Sequence, residues 1–122
     1  MLGRLSLSQS RAFDKTSNSG YNIARMSFAI VLAPEAVEDL KALKASLRAD
    51  VRTALEAHLR HEPKKMNRRR IKRLRGLHRP QYRLRVGDVR VFYDVSDATV
   101  EILAIVSKSE AGQWLAQFAN PA

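Results

Sequence analysis

The stretch Tyr82-Arg83-Leu84-Arg85-Val86-Gly87-Asp88-Val89-Arg90-Val91-Phe92-Tyr93-Asp94-Val95 alternates apolar and polar residues on either side of a Gly-Asp pair. That pattern predicts a β-hairpin closed by a two-residue turn. The turn sets the register: Val86 opposite Val89, Arg85 opposite Arg90, Leu84 opposite Val91, Arg83 opposite Phe92 and Tyr82 opposite Tyr93. Because side chains alternate along a strand, one face collects Tyr82, Leu84, Val86, Val89, Val91, Tyr93 and Val95, and the other collects Arg83, Arg85, Arg90 and Phe92. The first face belongs in a core, with the tyrosine hydroxyls expected at its rim. The second places like charges opposite one another, which destabilises a sheet unless an anion is shared between them. A polyanion would relieve the repulsion, and a solvated Arg-rich strand is the plain alternative.

Composition bounds the rest. The chain has 122 residues, enough for one domain with a single hydrophobic core, and 45% of them are hydrophobic. It has no cysteine, which excludes disulfides and thiolate metal sites and is compatible with a cytoplasmic location; no metal or cofactor is expected. No apolar run reaches membrane-spanning length. The net charge of +10 is concentrated. Twelve of the 22 Lys and Arg residues, and only one of the 12 acids, lie between Lys64 and Arg90, so this quarter of the chain alone carries +11. Such a band attracts nucleic acid, and equally an acidic protein.

Residues 1–25 are rich in Ser and Arg without apolar periodicity, and are expected to be a disordered extension ahead of a domain over residues 26–122. Ser27 to Leu32 has strand length. Pro34 then suits a helix's first turn, with Glu35, Glu38 and Asp39 near its N-terminus. Leu40, Leu43, Leu47, Val51, Leu55 and Leu59 recur at helical spacing, as one helix or as two in a hairpin broken near Ser46, with Pro63 ending the element. Lys64 to Arg79 is dense in charge but interleaved with Ile71, Leu74 and Leu77, so it is read as a loop plus a short extended or helical piece pinned to the domain. Ser96-Asp97 is expected to close a second tight turn, Ala98 to Val106 to form a strand covered on both faces, and Ser109 to cap a last helix carrying Trp114, Leu115 and Phe118. The order β-α-α-β-β-β-α predicts an α+β domain with helices covering a mostly antiparallel four-stranded sheet.

The segments Leu74-Arg75-Gly76, Tyr82 to Asp88 and Arg90-Val91-Phe92-Tyr93-Asp94, with the strand Val100 to Val106 and Lys108-Ser109-Glu110-Ala111, resemble the RelE/ParE toxins of bacterial type II toxin–antitoxin systems. The likeness runs from Phe28 to about Phe118. It implies one of two activities: ribosome-dependent cleavage of messenger RNA, as in RelE-type members, or non-enzymatic inhibition of DNA gyrase, as in ParE-type members. A weakened toxin that mainly binds its antitoxin is a variant of the second. On the matching positions, Arg83, Arg85, Arg90 and Lys108 would be catalytic, holding phosphate and stabilising transition-state charge, and Lys72, Arg73, Arg75, Arg79 and Phe92 would bind RNA. The resemblance also implies a small acidic antitoxin as partner. Ser107, Gly112 and Leu115 stand where the ribonucleases often carry a His or Arg and a Tyr. Glu110 reads as a helix-dipole residue. His58, His61 and His78 read as structural or solvated histidines rather than catalytic ones.

Overall fold

The computed structural model describes Leu5–Ser6 and residues 27–122. The hairpin has the expected register: β5 (Tyr82–Val86) runs antiparallel to β6 (Val89–Ser96), from Tyr82↔Tyr93 to Val86↔Val89. Gly87 supplies the positive φ (58°) that the two-residue turn needs. All seven residues of the apolar face lie in the main core. The tyrosine hydroxyls do not both reach a rim. Tyr93 is fully buried, its hydroxyl donates to the Pro63 carbonyl at 2.6 Å, and burial pushes its pKa up. Its ring stacks on Tyr82 at 5.4 Å.

The remaining strands assemble around this ribbon. β7 (Thr99–Ser107) is antiparallel to β6, and β2 (Ala29–Leu32) is parallel to β7. These four strands are the expected sheet, in the order β2-β7-β6-β5. Two short strands extend its edges, β1 (Leu5–Ser6) beside β2 and β3 (Ile71–Arg73) beside β5. Apart from Leu5–Ser6, the expected disorder of residues 1–25 concerns residues outside those described. The basic segment is indeed pinned. Ile71 enters the core opposite Leu84, and β4 (Leu77–Arg79) pairs with β8 (Asn120–Pro121) in a separate two-stranded ribbon.

The helical region divides into α1 (Pro34–Ala42) and α2 (Ala45–Ala54), and α2 continues into a π-helical turn over Leu55–Leu59. The break lies at Leu43 and Lys44, both extended, so Ser46 falls inside α2 and caps nothing. Leu40, Val51, Leu55 and Leu59 are buried against the sheet, and Leu43 and Leu47 pack at the margin of that core. α3 (Lys108–Phe118) likewise starts earlier than expected, with Ser107 in the N-cap position, 3.2 Å from the Ser109 hydroxyl. The second turn is shifted by one residue. Ser96 pairs with Thr99, and Asp97 takes the left-handed conformation (φ 45°), which Asp tolerates better than a branched residue.

β2 stops at Leu32 whereas β7 runs on to Ser107, which leaves ladder donors beyond the end of β2. Asp39 on α1 supplies the missing acceptor: its Oδ2 takes the Ile105 N–H at 2.9 Å. α1 and α2 therefore cover one face of the sheet. α3 lies on the other face, across β7 and β6, where Trp114 stacks on Phe92 with ring centroids 5.0 Å apart. The part of that face over β5 and β3 is left uncovered. Among the described residues no helix is long and apolar enough to cross a membrane.

Candidate anion-binding face

The uncovered face carries the hairpin arginines. Arg83 and Arg85 project from β5, two residues apart, and Arg90 faces Arg85 across the pair. Lys72 stands directly beside Arg83 because β3 pairs Lys72↔Arg83. Arg83 senses its surroundings: burial first, then the charges of Arg90 and Arg85, lower its pKa. Its half-buried side chain has an Nε with no hydrogen-bond partner. No carboxylate among the described residues forms an ion pair with Arg83, Arg85 or Arg90.

Arg90 has a second role. It is 8% exposed, and its Nη1 donates to the carbonyls of Gly87 (2.9 Å) and Val89 (3.1 Å), so it braces the turn from beneath. Lys108 begins α3 beside the same turn, where its backbone N–H donates to the Asp88 carbonyl at 2.6 Å. Its side chain is exposed. The start of α3 thus lies at the same end of the hairpin as the Arg85–Arg90 pair.

Of the residues expected to bind RNA, only Lys72 shares this face. Arg73 lies over the Tyr82 ring at 5.1 Å, on the opposite side of the sheet. Arg75 is exposed in the turn between β3 and β4, away from the tip. Arg79 is held by Asp94 and by Glu101, each at 3.5 Å, so its charge is already matched inside the chain. Phe92 is 1% exposed beneath Trp114 and presents no ring to a base. The face has a contribution that sequence reasoning missed. Asn67 Oδ1 accepts the N–H groups of Arg69 (2.9 Å) and Arg70 (3.2 Å), folding a tight turn that the Arg70 carbonyl ties to the Arg85 N–H at 2.9 Å. The available signal was an Asn three residues before an Arg, the spacing of a side-chain-closed turn.

Among the described residues no acid–base pair accompanies these cations. Glu110 lies on the exposed first turn of α3 and acts electrostatically on Asp39 of α1. His58 lines a different hollow with Glu62, Lys65 and Arg70, where burial and then Arg70 lower its pKa. His78 is exposed on β4, in the separate ribbon. The face can therefore bind an anion and stabilise developing negative charge, and among the described residues it has no group of neutral-range pKa to accept a proton.

No curated protein matches the sequence. Among solved structures, the fold is similar to a chain of the RelB–RelE antitoxin–toxin complex from Methanococcus jannaschii, with TM-score 0.53 and 23% identity over 68% of this chain and 95% of that one. It is also similar to a chain of the RelBE2 toxin–antitoxin complex from Mycobacterium tuberculosis, with TM-score 0.51 and 26% identity over 66% of this chain and 98% of that one. The profile of the ParE toxin of the type II toxin–antitoxin system parDE matches residues 30–112, a span that includes the sheet from β2 to β7, α1, α2 and the hairpin with its arginines. Fold and sequence profile agree, and the chain belongs to the ParE toxin family of type II toxin–antitoxin systems.

Proposed function

We propose that this toxin cleaves messenger RNA at the ribosome, with Arg83, Arg85, Arg90 and Lys108 gathered around the scissile phosphate. The observation that carries this reading is the grouping of Arg83, Arg85 and Arg90 on one uncovered face, with no carboxylate among the described residues ion-paired to any of them. A phosphate bound at this face would cancel the repulsion among these like charges. Guanidinium groups donate forked hydrogen bonds to phosphate. When a ribose 2′-hydroxyl attacks the neighbouring phosphorus, the new O2′–P bond closes a 2′,3′-cyclic phosphate, the P–O5′ bond breaks, and the 2′-proton would pass by way of solvent or ribosomal groups to the departing 5′-oxygen; negative charge builds on the phosphoryl oxygens, and these cations would stabilise it. Arginine is a poor proton acceptor. The face therefore supplies electrostatics, and the ribosome would supply the orientation that brings the 2′-hydroxyl into line.

A second reading, gyrase inhibition without chemistry, is favoured by the ParE profile and by the missing proton acceptor. Both readings include an acidic antitoxin as partner, since the similar solved chains come from toxin–antitoxin complexes and the +11 band offers such a protein a strong field. Inducible expression separates them. The ribonuclease reading expects transcripts cut within codons and halted translation, both relieved in Arg83→Ala/Arg85→Ala/Arg90→Ala. Because Arg90 braces the turn, circular dichroism must show that the variant is folded. Intact transcripts with DNA damage and filamentous cells would select gyrase instead.

A further inference from the structure

Arg69, Arg70, Arg85 and Gly87 wall an open depression of ≈ 330 Å³ beside the hairpin tip. Three of its four lining residues are arginines and none is acidic. The arrangement is built rather than incidental. The Asn67 side chain fixes the loop backbone at Arg69 and Arg70, and the Arg70 carbonyl to Arg85 N–H bond continues β5's edge pairing past the end of β3. Arg69, Arg70 and Arg85 make no ion pair among the described residues. At the tip, Gly87 adds no side chain, and even a Cβ built there would meet nothing within 4 Å, so an approaching group has open access.

We propose that Arg69 and Arg70, with Arg85 shared between the two positions, form a second phosphate subsite, which holds the phosphodiester next along an RNA strand from the scissile one at Arg83. This rests on the RNA-cleaving reading above. Arg83 and Arg85 are two residues apart on one strand, which separates their Cα atoms by roughly 6.6 Å along its axis. That is comparable to the spacing of successive phosphates on an extended polynucleotide. Two adjacent subsites set the direction and register of a strand, whereas one phosphate contact leaves it free to pivot. Register decides which 2′-hydroxyl faces the scissile phosphorus, so Arg69 and Arg70 are positioning residues. An acidic peptide could also enter the depression, but carboxylates on a flexible chain do not keep the fixed spacing of a sugar-phosphate backbone.

The test measures binding of the full chain to a fluorescent single-stranded RNA oligonucleotide across a salt series. Arg69→Ala/Arg70→Ala is compared with Lys64→Ala/Arg68→Ala, which removes the same charge from exposed positions that do not line the depression. The first pair should weaken binding about tenfold, as expected for losing charge-assisted hydrogen bonds. It should also make the slope of log K against log salt shallower by about 0.7, the value for one single-strand phosphate contact. The control pair should change affinity less than about threefold, the field effect of exposed charges that do not line the depression. Equal losses in the two pairs would reduce the effect to bulk charge and overturn the subsite. So would unchanged RNA binding in Arg69→Ala/Arg70→Ala while Arg83→Ala loses it, a result that leaves the RNA reading standing. If instead the first pair loses affinity only for a poly-glutamate peptide, the depression serves a protein and the subsite is overturned. Failure of the unsubstituted protein to bind RNA at any salt concentration would remove both the subsite and the reading beneath it.

Discussion

Asp39 shows how one side chain can carry a structural duty against its own electrostatic interest. Burial pushes its carboxyl pKa up, the Ile105 N–H pulls it down, and Glu35, Glu110 and Glu38 push it up again; the sum lies above the ordinary value. The folded chain therefore binds this proton more tightly than the unfolded chain does. Stability attributable to the group is greatest below the unfolded pKa and falls as pH rises through the folded one. An amide in place of the carboxylate would keep an acceptor for Ile105 and discard the charge. Asp39→Asn should thus be at least as stable as the parent near neutral pH and should lose this part of the pH dependence. Asp39→Ala should cost about 1–3 kcal/mol by orphaning a buried donor. Urea unfolding from about pH 4 to pH 7, spanning the carboxylate range, checks both. An Asn variant as weak as the Ala variant would show that the charge itself is needed. Arg79 illustrates the opposite case: in sequence it is one cation among many, yet Asp94 and Glu101 match its charge within the fold.

At the scale of elements, the hairpin and the Asn67 turn are both local structures, and both position the basic face. In the hairpin, period-two alternation and a turn that tolerates positive φ act over neighbouring residues, so its register was legible in sequence down to each facing pair. The helix breaks were less legible. Ser46 and Ser109 each sit next to a helix start without capping it, because the chain turns where Leu43 and Leu47 must reach the core and where β7 hands over to α3. The Asn67 turn yields a prediction of its own. Asn67→Ala removes the acceptor shared by the Arg69 and Arg70 N–H groups and should cost about 1 kcal/mol locally. Amide exchange should accelerate at Arg69, while the Arg70 N–H keeps the Asn67 backbone carbonyl at 3.0 Å, and RNA affinity should fall although no cation is lost. Unchanged exchange at Arg69 would mean that the backbone bonds of the turn, Asn67 N–H to the Ile71 carbonyl (2.9 Å), Arg70 N–H to the Asn67 carbonyl (3.0 Å) and Arg85 N–H to the Arg70 carbonyl (2.9 Å), hold the loop without the side chain.

For the whole molecule, the decisive feature is where α3 lies. It is fastened near the hairpin tip by the Lys108 N–H to Asp88 bond, in its middle by Trp114 on Phe92, and at its far end by β8 on β4 with the Ala122 N–H on the Gly76 carbonyl. Removing residues 119–122 should loosen the last turn of α3 around Phe118, seen as faster hydrogen exchange there, and leave RNA affinity unchanged because the basic face is at the other end. A matching loss of affinity would show that the tail shapes the face after all. By itself, the sequence determined the α+β class, the hairpin register, the apolar face that became core, and the grouping of Arg83, Arg85 and Arg90, since each follows from contacts between near neighbours. Only the tertiary structure decided which other cations join them. Arg73 went to Tyr82, Arg79 to two carboxylates and Phe92 under Trp114, while Arg69 and Arg70 came to line a depression with Arg85. The reason is that a charge or a ring is assigned to its partner by strands and helices distant in sequence, and composition counts such groups without saying which of them the fold will pair.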